Sequence, residues 1–204
     1  MTRRIAILIS GRGSNMSALI DAVATGRLPA EVSLVISNRA DAAGLNRAAE
    51  AGIPTAVVSH RGRSRDAFES QLQARLEAAG IDLVCLAGFM RILSDRFVAR
   101  WEGRMLNIHP SLLPAFRGLH VHEQALEAGV ALSGCTVHWV TAELDSGPIV
   151  GQAAVPVLPG DTPETLAHRV NEAEHRLYPE ALRQVLGLPP QSNPAEEVLI
   201  SLRS

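Results

Sequence analysis

Short apolar runs of strand length alternate with helical segments from the first residues of this 204-residue chain onward. The predicted strands of the first half are residues 4–10, 31–37, 55–59, 82–87 and 105–109. Each run is nearly continuously apolar, which is typical of parallel strands covered by helices on both faces. The alternation predicts one α/β domain whose parallel strands are joined by crossover helices.

Three helices predicted between these strands each end at a glycine. They cover residues 15–25, 42–51 and 65–79, and the glycines are Gly26, Gly52 and Gly80. Glycine is common just beyond the end of a helix because it adopts the left-handed conformation at little steric cost.

The second half of the chain predicts a different arrangement. Residues 135–141 and 148–157 form two strands around a polar loop, as an antiparallel or edge extension of the sheet. Thr162 caps a long helix that has Pro163 at its first position and runs to about residue 185, with a kink at Pro179. Loop composition follows, so we expect a domain over residues 1–186 and a C-terminal appendage over 187–204.

Lysine is absent, and all 19 cationic side chains are arginines. This excludes Schiff-base chemistry, pyridoxal-phosphate anchoring and the nucleotide loop that carries a lysine. The formal net charge is -2 and both signs are interspersed, so no basic stripe indicates a nucleic-acid partner.

The cysteine content predicts the compartment. Cys85 and Cys135 are the two cysteines, and no CxxC motif occurs, so neither a disulfide framework nor a thiolate metal site is expected. A reducing, cytoplasmic environment fits best. The apolar run at residues 5–9 is too short for a signal peptide or a membrane helix, and no membrane partner is expected.

The loop after the first predicted strand has the composition of an anion site. Residues 10–15 read Ser-Gly-Arg-Gly-Ser-Asn and open directly into a helix, where backbone amides meet the positive end of the helix dipole. The segment does not match GxGxxG, so it favours a sugar phosphate over a dinucleotide. The alternative is a tight turn capped by Ser14 or Asn15.

Asn107 and His109 lie at the end of the fifth predicted strand, where open parallel sheets place their active sites. Residues two apart in a strand point to one face, and Pro110 favours extended backbone at His109. An amide beside an imidazole supplies a donor to a developing oxyanion and a group that exchanges protons near neutral pH. The alternative is a structural strand end whose side chains bind loop backbone.

Asp145 lies in the polar loop at residues 143–147 between the two later strands. A carboxylate held there can orient a histidine, and an opposite charge within about 4–6 Å raises a histidine pKa. Most acidic residues in turns are simply solvated. We therefore expect a catalytic role for Asp145 only if it lies close to His109.

Further histidines raise the question of a metal site. His120, His122 and His138 form neither an HExxH motif nor a compact ligand cluster, so we predict no metal and interpret them as hydrogen-bonded pocket residues. Cys85 lies within an apolar run and is interpreted as a buried small hydrophobe.

Four segments taken together resemble the folate-dependent phosphoribosylglycinamide formyltransferases. They are residues 9–15, 86–93, 107–114 and 144–148, which read ISGRGSN, LAGFMRIL, NIHPSLLP and LDSGP. The likeness runs to about residue 185. It implies the formyltransferase fold: a Rossmann-like, mainly parallel twisted sheet flanked by helices, with an antiparallel C-terminal strand extension. It also implies transfer of a formyl group from 10-formyltetrahydrofolate to the amine of 5-phosphoribosylglycinamide in de novo purine biosynthesis.

The resemblance also implies which residues form the site. The catalytic positions are Asn107, His109 and Asp145. The substrate positions are Gly13, Ser14 and Asn15 at the phosphate, and Asn171, Glu172, Ala173 and Glu174, the last on the ribose hydroxyls. The folate positions are Arg65, Met90, Arg91, Ile92, Leu93, Asn107, Thr141, Ala142, Glu143, Leu144 and Asp145. Two positions depart from the family pattern: Ala142 replaces an acidic residue, and Val121 replaces an alanine or threonine.

The implied mechanism begins with attack of the substrate amine on the formyl carbon. Asn107 and protonated His109 hydrogen-bond the oxygen as it becomes negative, and Asp145 keeps the imidazole charged. The folate nitrogen leaves after it receives a proton from His109, directly or through water.

Three alternatives remain open from the sequence. Methionyl-tRNA formyltransferase and formyltetrahydrofolate hydrolase are similar around Asn107, His109 and Asp145, but each carries a further domain for which 204 residues leave no room. The phosphate loop also favours a small acceptor. A non-catalytic sensor of sugar phosphate or folate is the third alternative, and the intact catalytic set argues against it.

Overall fold

A computed structural model of the chain describes residues 2–189 and 199–202. The chain divides into two compact units, Met1–Leu106 and Asn107–Ser204. The division of the sequence at residues 186 and 187 stays a prediction, and most of the expected appendage lies outside the described residues.

The first unit contains a parallel sheet of apolar strands. Its strands are β1 (Arg3–Ile9), β2 (Ala30–Ser37), β3 (Thr55–Val57), β4 (Leu83–Leu86) and the start of β5 (Met105–His109). They lie in the order β3-β2-β1-β4-β5, and β1 pairs in parallel with both β2 and β4. Ile7 on one face of β1 and Ala6 and Leu8 on the other are fully buried, as a strand covered on both faces requires. All five predicted strands of this half are confirmed.

Four helices follow strands of this sheet: α1 (Ser14–Ala24), α2 (Gly44–Glu50), α3 (Arg65–Ala78) and α4 (Asp95–Arg100). The first three are predicted from the sequence, and the expected glycines follow their ends. The sequence does not predict α4, because six residues are too few to show a helical apolar repeat. Ser94 begins α4, since its hydroxyl accepts a hydrogen bond from the N–H of Phe97 at 3.2 Å.

The second unit continues from β5 with antiparallel strands. They are β6 (Leu132–Trp139), β7 (Ile149–Pro156) and β8 (Leu199–Leu202), in the order β5-β6-β7-β8. The antiparallel pairing of β6 with β7 and of β7 with β8 confirms the expected extension. A helix of seven residues that the sequence does not predict, α5 (Val121–Glu127), precedes β6.

The long helix α6 (Pro163–Val185) forms the core of the second unit with β6 and β7. It begins as predicted, because the Thr162 hydroxyl accepts from the N–H of Thr165 at 3.4 Å and Pro163 occupies the first turn. The helix continues through Pro179. Its side chains Leu166, Val170, Leu177 and Tyr178 are almost fully buried. Within the described residues, no helix combines the length and apolar character needed to cross a bilayer.

Candidate active site

The second unit brings Asn107, His109 and Asp145 together. β5 carries the first two and, as predicted, ends at His109. His109 Nδ1 lies 3.4 Å from Asp145 Oδ2, and the side chains of both residues are buried, with 6% and 8% exposed. The proximity on which a catalytic role for Asp145 depends is therefore present.

The loop between β6 and β7 holds Asp145 in place. The N–H of Trp139 donates to the carbonyl of Pro148 at 2.9 Å and closes the loop. A Cβ atom at Gly147 would lie 1.8 Å from the Trp139 carbonyl oxygen, so no other residue fits there. The backbone of Asp145 has a φ of 49°, and the N–H of Gly118 donates to its Oδ2 at 2.9 Å. The carboxylate is thus fixed by backbone geometry and by a charge-assisted hydrogen bond.

Both ring nitrogens of His109 face oxygen acceptors. Nδ1 faces the Asp145 carboxylate, and Nε2 lies 2.9 Å from the carbonyl oxygen of Phe116. A carbonyl and a carboxylate can only accept, so an imidazolium with a proton on each nitrogen satisfies both neighbours. The surroundings of His109 therefore fit the charged ring.

His138 orients the amide of Asn107. His138 Nδ1 lies 2.9 Å from the Trp139 carbonyl, so this nitrogen carries the proton and Nε2 accepts from Asn107 Nδ2 at 3.2 Å. Burial lowers the pKa of His138, although the Trp139 carbonyl and Asp145 act to raise it. Its Nε2 is 3.8 Å from Asp145 Oδ1, which is too long for a hydrogen bond. A neutral His138 therefore holds the NH2 group of Asn107 toward itself.

The sequence does not assign this role to His138. The sequence alone identifies His138 only as one of several pocket histidines. Its contact with Asn107 follows from the pairing of β6 with β5, which brings the two residues together. The contacts of Asp145 with Gly118 and of His109 with Phe116 are likewise absent from the predictions, because backbone groups leave no signal in residue type.

The other two histidines near this strand end differ from each other. His122 is partly buried, and its pKa is lowered by burial and by the nearby His109, against an opposing effect of Glu123. His120 is exposed and lies 3.4 Å from Glu123. Among the described residues, no group of three or more His, Cys, Asp or Glu side chains is arranged to hold a metal ion.

In the first unit, the loop after β1 leads into α1 through Gly13. This residue is the N-cap of α1, with a φ of 72°. The N-cap is therefore Gly13 and not Ser14 or Asn15, and phosphate binding by this loop stays a prediction. A Cβ atom at Gly13 would lie 3.1 Å from Met16 Cε and 3.3 Å from Gly44 Cα, so the close approach of α2 also favours glycine.

A cavity of about 460 Å³ lies beside this loop within the first unit. The described residues that line it include four arginines and one histidine, but no carboxylate: Arg12, Arg39, Arg61, Arg91 and His60. Asp41 neutralises one of these cations, at 2.8 Å from Arg39, and this contact lowers the pKa of Asp41 to about 2. The other arginines pair with no carboxylate among the described residues. The cavity suits an anion.

The remaining expected site residues are spread over both units. In the first unit, Met90 and Ile92 are exposed, Leu93 is buried and Arg65 begins α3 at the surface. In the second unit, the exposed residues Thr141, Ala142, Glu143 and Leu144 precede Asp145. On α6, Asn171 Nδ2 donates to Glu174 Oε2 at 2.8 Å, Ala173 and Glu174 are buried, and Glu172 lies on the exposed side at 3.7 Å from His168.

Comparison with known proteins identifies the family. The model of a family described as formyl transferase matches residues 3–182. The chain belongs to the formyl transferase family.

Individual relatives are similar to the chain over most of its length. It is 50% identical over 176 residues to the phosphoribosylglycinamide formyltransferase of Escherichia coli (strain K12), covering 86% of this chain and 83% of that protein. It is 55% identical over 183 residues to the trifunctional purine biosynthetic protein adenosine-3 of Homo sapiens, covering 89% of this chain and 18% of that protein. The chain therefore spans less than a fifth of the trifunctional relatives that it matches.

A solved structure confirms the fold class of the chain. The phosphoribosylglycinamide formyltransferase from Brucella melitensis aligns with a TM-score of 0.88 at 54% identity, over 95% of this chain and 100% of that chain. The expected α/β fold with a mainly parallel sheet and antiparallel C-terminal strands is thus confirmed.

Proposed function

We propose that this chain is an enzyme that transfers the formyl group of 10-formyltetrahydrofolate to the amine of 5-phosphoribosylglycinamide. The products are 5-phosphoribosyl-N-formylglycinamide and tetrahydrofolate, in de novo purine biosynthesis. The observation that carries the proposal is the buried contact of His109 with Asp145 beside Asn107, in a chain half identical to a protein named phosphoribosylglycinamide formyltransferase.

The proposed reaction needs hydrogen-bond donors at the formyl oxygen. The amine attacks the formyl carbon, and negative charge moves onto that oxygen in a tetrahedral intermediate. His109 Nε2 donates one hydrogen bond, with the formyl oxygen replacing the Phe116 carbonyl that lies there. Asn107 donates the second through the N–H that does not face His138. Both bonds strengthen as charge develops, so they lower the barrier.

The reaction also needs a proton at the leaving group. The attacking amine loses a proton as its bond to carbon forms, and the folate nitrogen must gain one before the carbon–nitrogen bond breaks. His109 delivers this proton directly or through one water, and the proton released by the amine restores it. Asp145 Oδ2, at 3.4 Å, stabilises the positive charge on the ring between these steps.

Binding residues complete the proposal. Gly13, Ser14 and Asn15 bind the substrate phosphate at the start of α1, next to the arginine-lined cavity. Asn171, Glu172, Ala173 and Glu174 form the second substrate segment. The folate positions are Arg65, Met90, Arg91, Ile92, Leu93, Asn107, Thr141, Ala142, Glu143, Leu144 and Asp145. The proposed phosphate loop lies in the first unit, and the proposed reacting side chains lie in the second.

An acceptor assay tests the proposal. Purified protein receives 10-formyltetrahydrofolate with phosphoribosylglycinamide, with initiator methionyl-tRNA or with water alone, and formylated products are measured by mass spectrometry. We expect formylation of phosphoribosylglycinamide. Formylation of tRNA alone would contradict the proposal and indicate a methionyl-tRNA formyltransferase. Release of formate alone would contradict it and indicate a formyltetrahydrofolate hydrolase. Binding of both ligands without any product would indicate a sensor.

A further inference from the structure

The segment at residues 89–94 lies in the connection from β4 to α4 and belongs to no helix or strand. It holds two large apolar side chains in solvent, since Met90 is 66% and Ile92 is 67% exposed. Irregular backbone can present such side chains to a ligand reproducibly only if other groups fix it. Two sets of side chains hold the ends of this segment, and none of them is among the expected site residues.

The first set begins at the backbone of Met90. Its N–H donates to Ser10 Oγ at 2.7 Å, and Ser10 Oγ donates to Asn38 Oδ1 at 2.6 Å. Asn38 Nδ2 then lies 3.2 Å from His60 Nδ1. Ser10 and Asn38 are buried, with 7% and 4% exposed. These hydrogen bonds form a relay that crosses the ends of β1, β2 and β3.

The direction of every bond in this relay follows from its first donor. The N–H of Met90 can only donate, so Ser10 Oγ accepts there. The Ser10 hydroxyl then donates its single proton to Oδ1, the side-chain amide oxygen of Asn38. The amide nitrogen of Asn38 is therefore turned toward His60, whose Nδ1 must accept. The relay is satisfied by a neutral His60 with its proton on Nε2. The His60 ring packs edge-on against Phe68, with ring centroids 6.5 Å apart.

The second set holds the other end of the segment. Glu69, in the middle of α3, is buried and accepts from the N–H of Ser94 at 2.6 Å. Its second carboxylate oxygen accepts from the Ser94 hydroxyl. That hydroxyl also caps α4, so one carboxylate fixes both the end of the segment and the start of the helix.

We propose that Ser10, Asn38 and His60 are positioning residues. They hold the segment at residues 89–94 in the conformation that binds the folate co-substrate, and Glu69 fixes the far end of this segment. This rests on the proposed function, because it takes the exposed apolar face of the segment as a folate surface. The relay touches the segment through the Met90 amide, so it acts on binding of the co-substrate and not on the reacting atoms.

The most direct test is Ser10→Ala. It removes the acceptor of the Met90 N–H and the donor to Asn38 while changing one atom. Because a buried hydrogen bond of this kind is lost, we expect the Kd of tetrahydrofolate, measured by calorimetry, and the KM of the formyl donor to rise about 10-fold. The KM of phosphoribosylglycinamide rises by a smaller factor, because Ser10 lines the cavity beside the phosphate loop but is not one of the proposed phosphate-binding residues. Ser33→Ala is the matched control, since Ser33 is a buried serine on β2 bonded to Glu31, and it leaves both constants unchanged.

A pair of variants at His60 tests the direction of the relay. His60→Leu removes the acceptor, and we expect a rise of about 3-fold in the Kd of tetrahydrofolate, because water from the adjacent cavity replaces part of the lost bond. His60→Gln restores an acceptor oxygen, and we expect wild-type affinity. His60 is only partly buried, so these variants also serve if Ser10→Ala does not fold.

The outcomes separate the two proposals. If the wild-type protein does not bind tetrahydrofolate, the proposed function is wrong and the relay has no role in it. If the wild-type protein binds tetrahydrofolate and Ser10→Ala or, failing that, His60→Leu binds equally well, the relay is overturned and the proposed function stands. An equal loss of affinity for both substrates also overturns the proposed role of the relay, because that result indicates general disturbance of the loop after β1. If His60→Gln does not restore affinity for tetrahydrofolate, the inferred direction of the hydrogen bonds in the relay is contradicted.

Discussion

The two units of the chain hold their polar side chains in opposite ways. In the second unit, His109, His138 and Asp145 are buried, and their ring and carboxylate atoms face one another or backbone groups. In the first unit, Arg12 and Arg61 are exposed at an open cavity, and none of the described residues that line it carries a carboxylate. Proton transfer and oxyanion stabilisation need fixed, desolvated groups, whereas capture of a phosphate needs charge within reach.

This difference sets the expected cost of substitutions. Removing one partner of a buried polar pair leaves the other unsatisfied in a poorly hydrated site. Removing one exposed cation among several loses an interaction that water and salt already screen. Variants in the second unit should therefore reduce the rate strongly, and variants at the cavity should mainly reduce affinity.

The largest effect is expected for His109→Ala. It removes the proposed donor to the developing oxyanion together with the proposed proton source, so we expect kcat to fall by at least about 10²- to 10³-fold. The KM or Kd of phosphoribosylglycinamide changes by no more than a few-fold, because the phosphate loop is untouched. Steady-state kinetics with calorimetry measures both, and near-normal turnover would contradict the proposed role.

A smaller effect is expected for His138→Leu. Without the acceptor at Nε2, the amide of Asn107 is no longer held with its NH2 group toward His138. We expect kcat to fall about 10-fold with little change in KM, because one oriented hydrogen bond is weakened rather than removed. His138→Gln, which retains an acceptor, should recover part of the loss. Unchanged kcat in His138→Leu would show that Asn107 needs no such support.

The pH dependence of stability gives a third test. Burial lowers the pKa values of His122, His138 and His175, all in the second unit. The unfolded chain then binds more protons than the folded one once the pH falls through the ordinary value of 6.5, so the free energy of unfolding decreases below that pH. Chemical denaturation at a series of pH values should show this decrease and a weaker one in His138→Gln. A free energy of unfolding that rises as the pH falls below 6.5 would contradict these pKa directions.

The smallest effect is expected at the cavity. Arg12→Ala should raise the KM of phosphoribosylglycinamide by about 3-fold at low salt and by less at high salt, since exposed charges are screened. The exposed Arg75 on α3, outside the cavity, supplies the matched control Arg75→Ala. A loss of kcat in Arg12→Ala would show that the first unit contributes to chemistry as well as to binding.

Much of the fold is predictable because its signals are local. The apolar run of β5 and the Thr162–Pro163 start of α6 give these elements the bounds seen in the structure. Helices α4 and α5 are missed because six and seven residues show no clear repeat. Helix α1, predicted at residues 15–25, is observed at Ser14–Ala24, but its left-handed N-cap at Gly13 is not predicted.

In the candidate site, the reacting residues are predictable from the sequence, but the groups that orient them are not. The sequence predicts that Asp145 matters only if it meets His109, and the structure places them 3.4 Å apart. The partners that orient these residues depend on strand neighbours and backbone carbonyls, as for His138 and Phe116. Residue types along the chain do not encode such contacts directly, so they emerge only from the fold.

The central claim is that His109 and Asp145 act as one unit on the transferred formyl group. A double-mutant cycle of His109→Ala, Asp145→Ala and the combined variant, measured as single-turnover rates with both substrates saturating, tests it most directly. We predict that each single variant is slowed severely and that the combined variant is hardly slower than His109→Ala alone. Rate losses that multiply across the two substitutions would show independent roles and contradict the account.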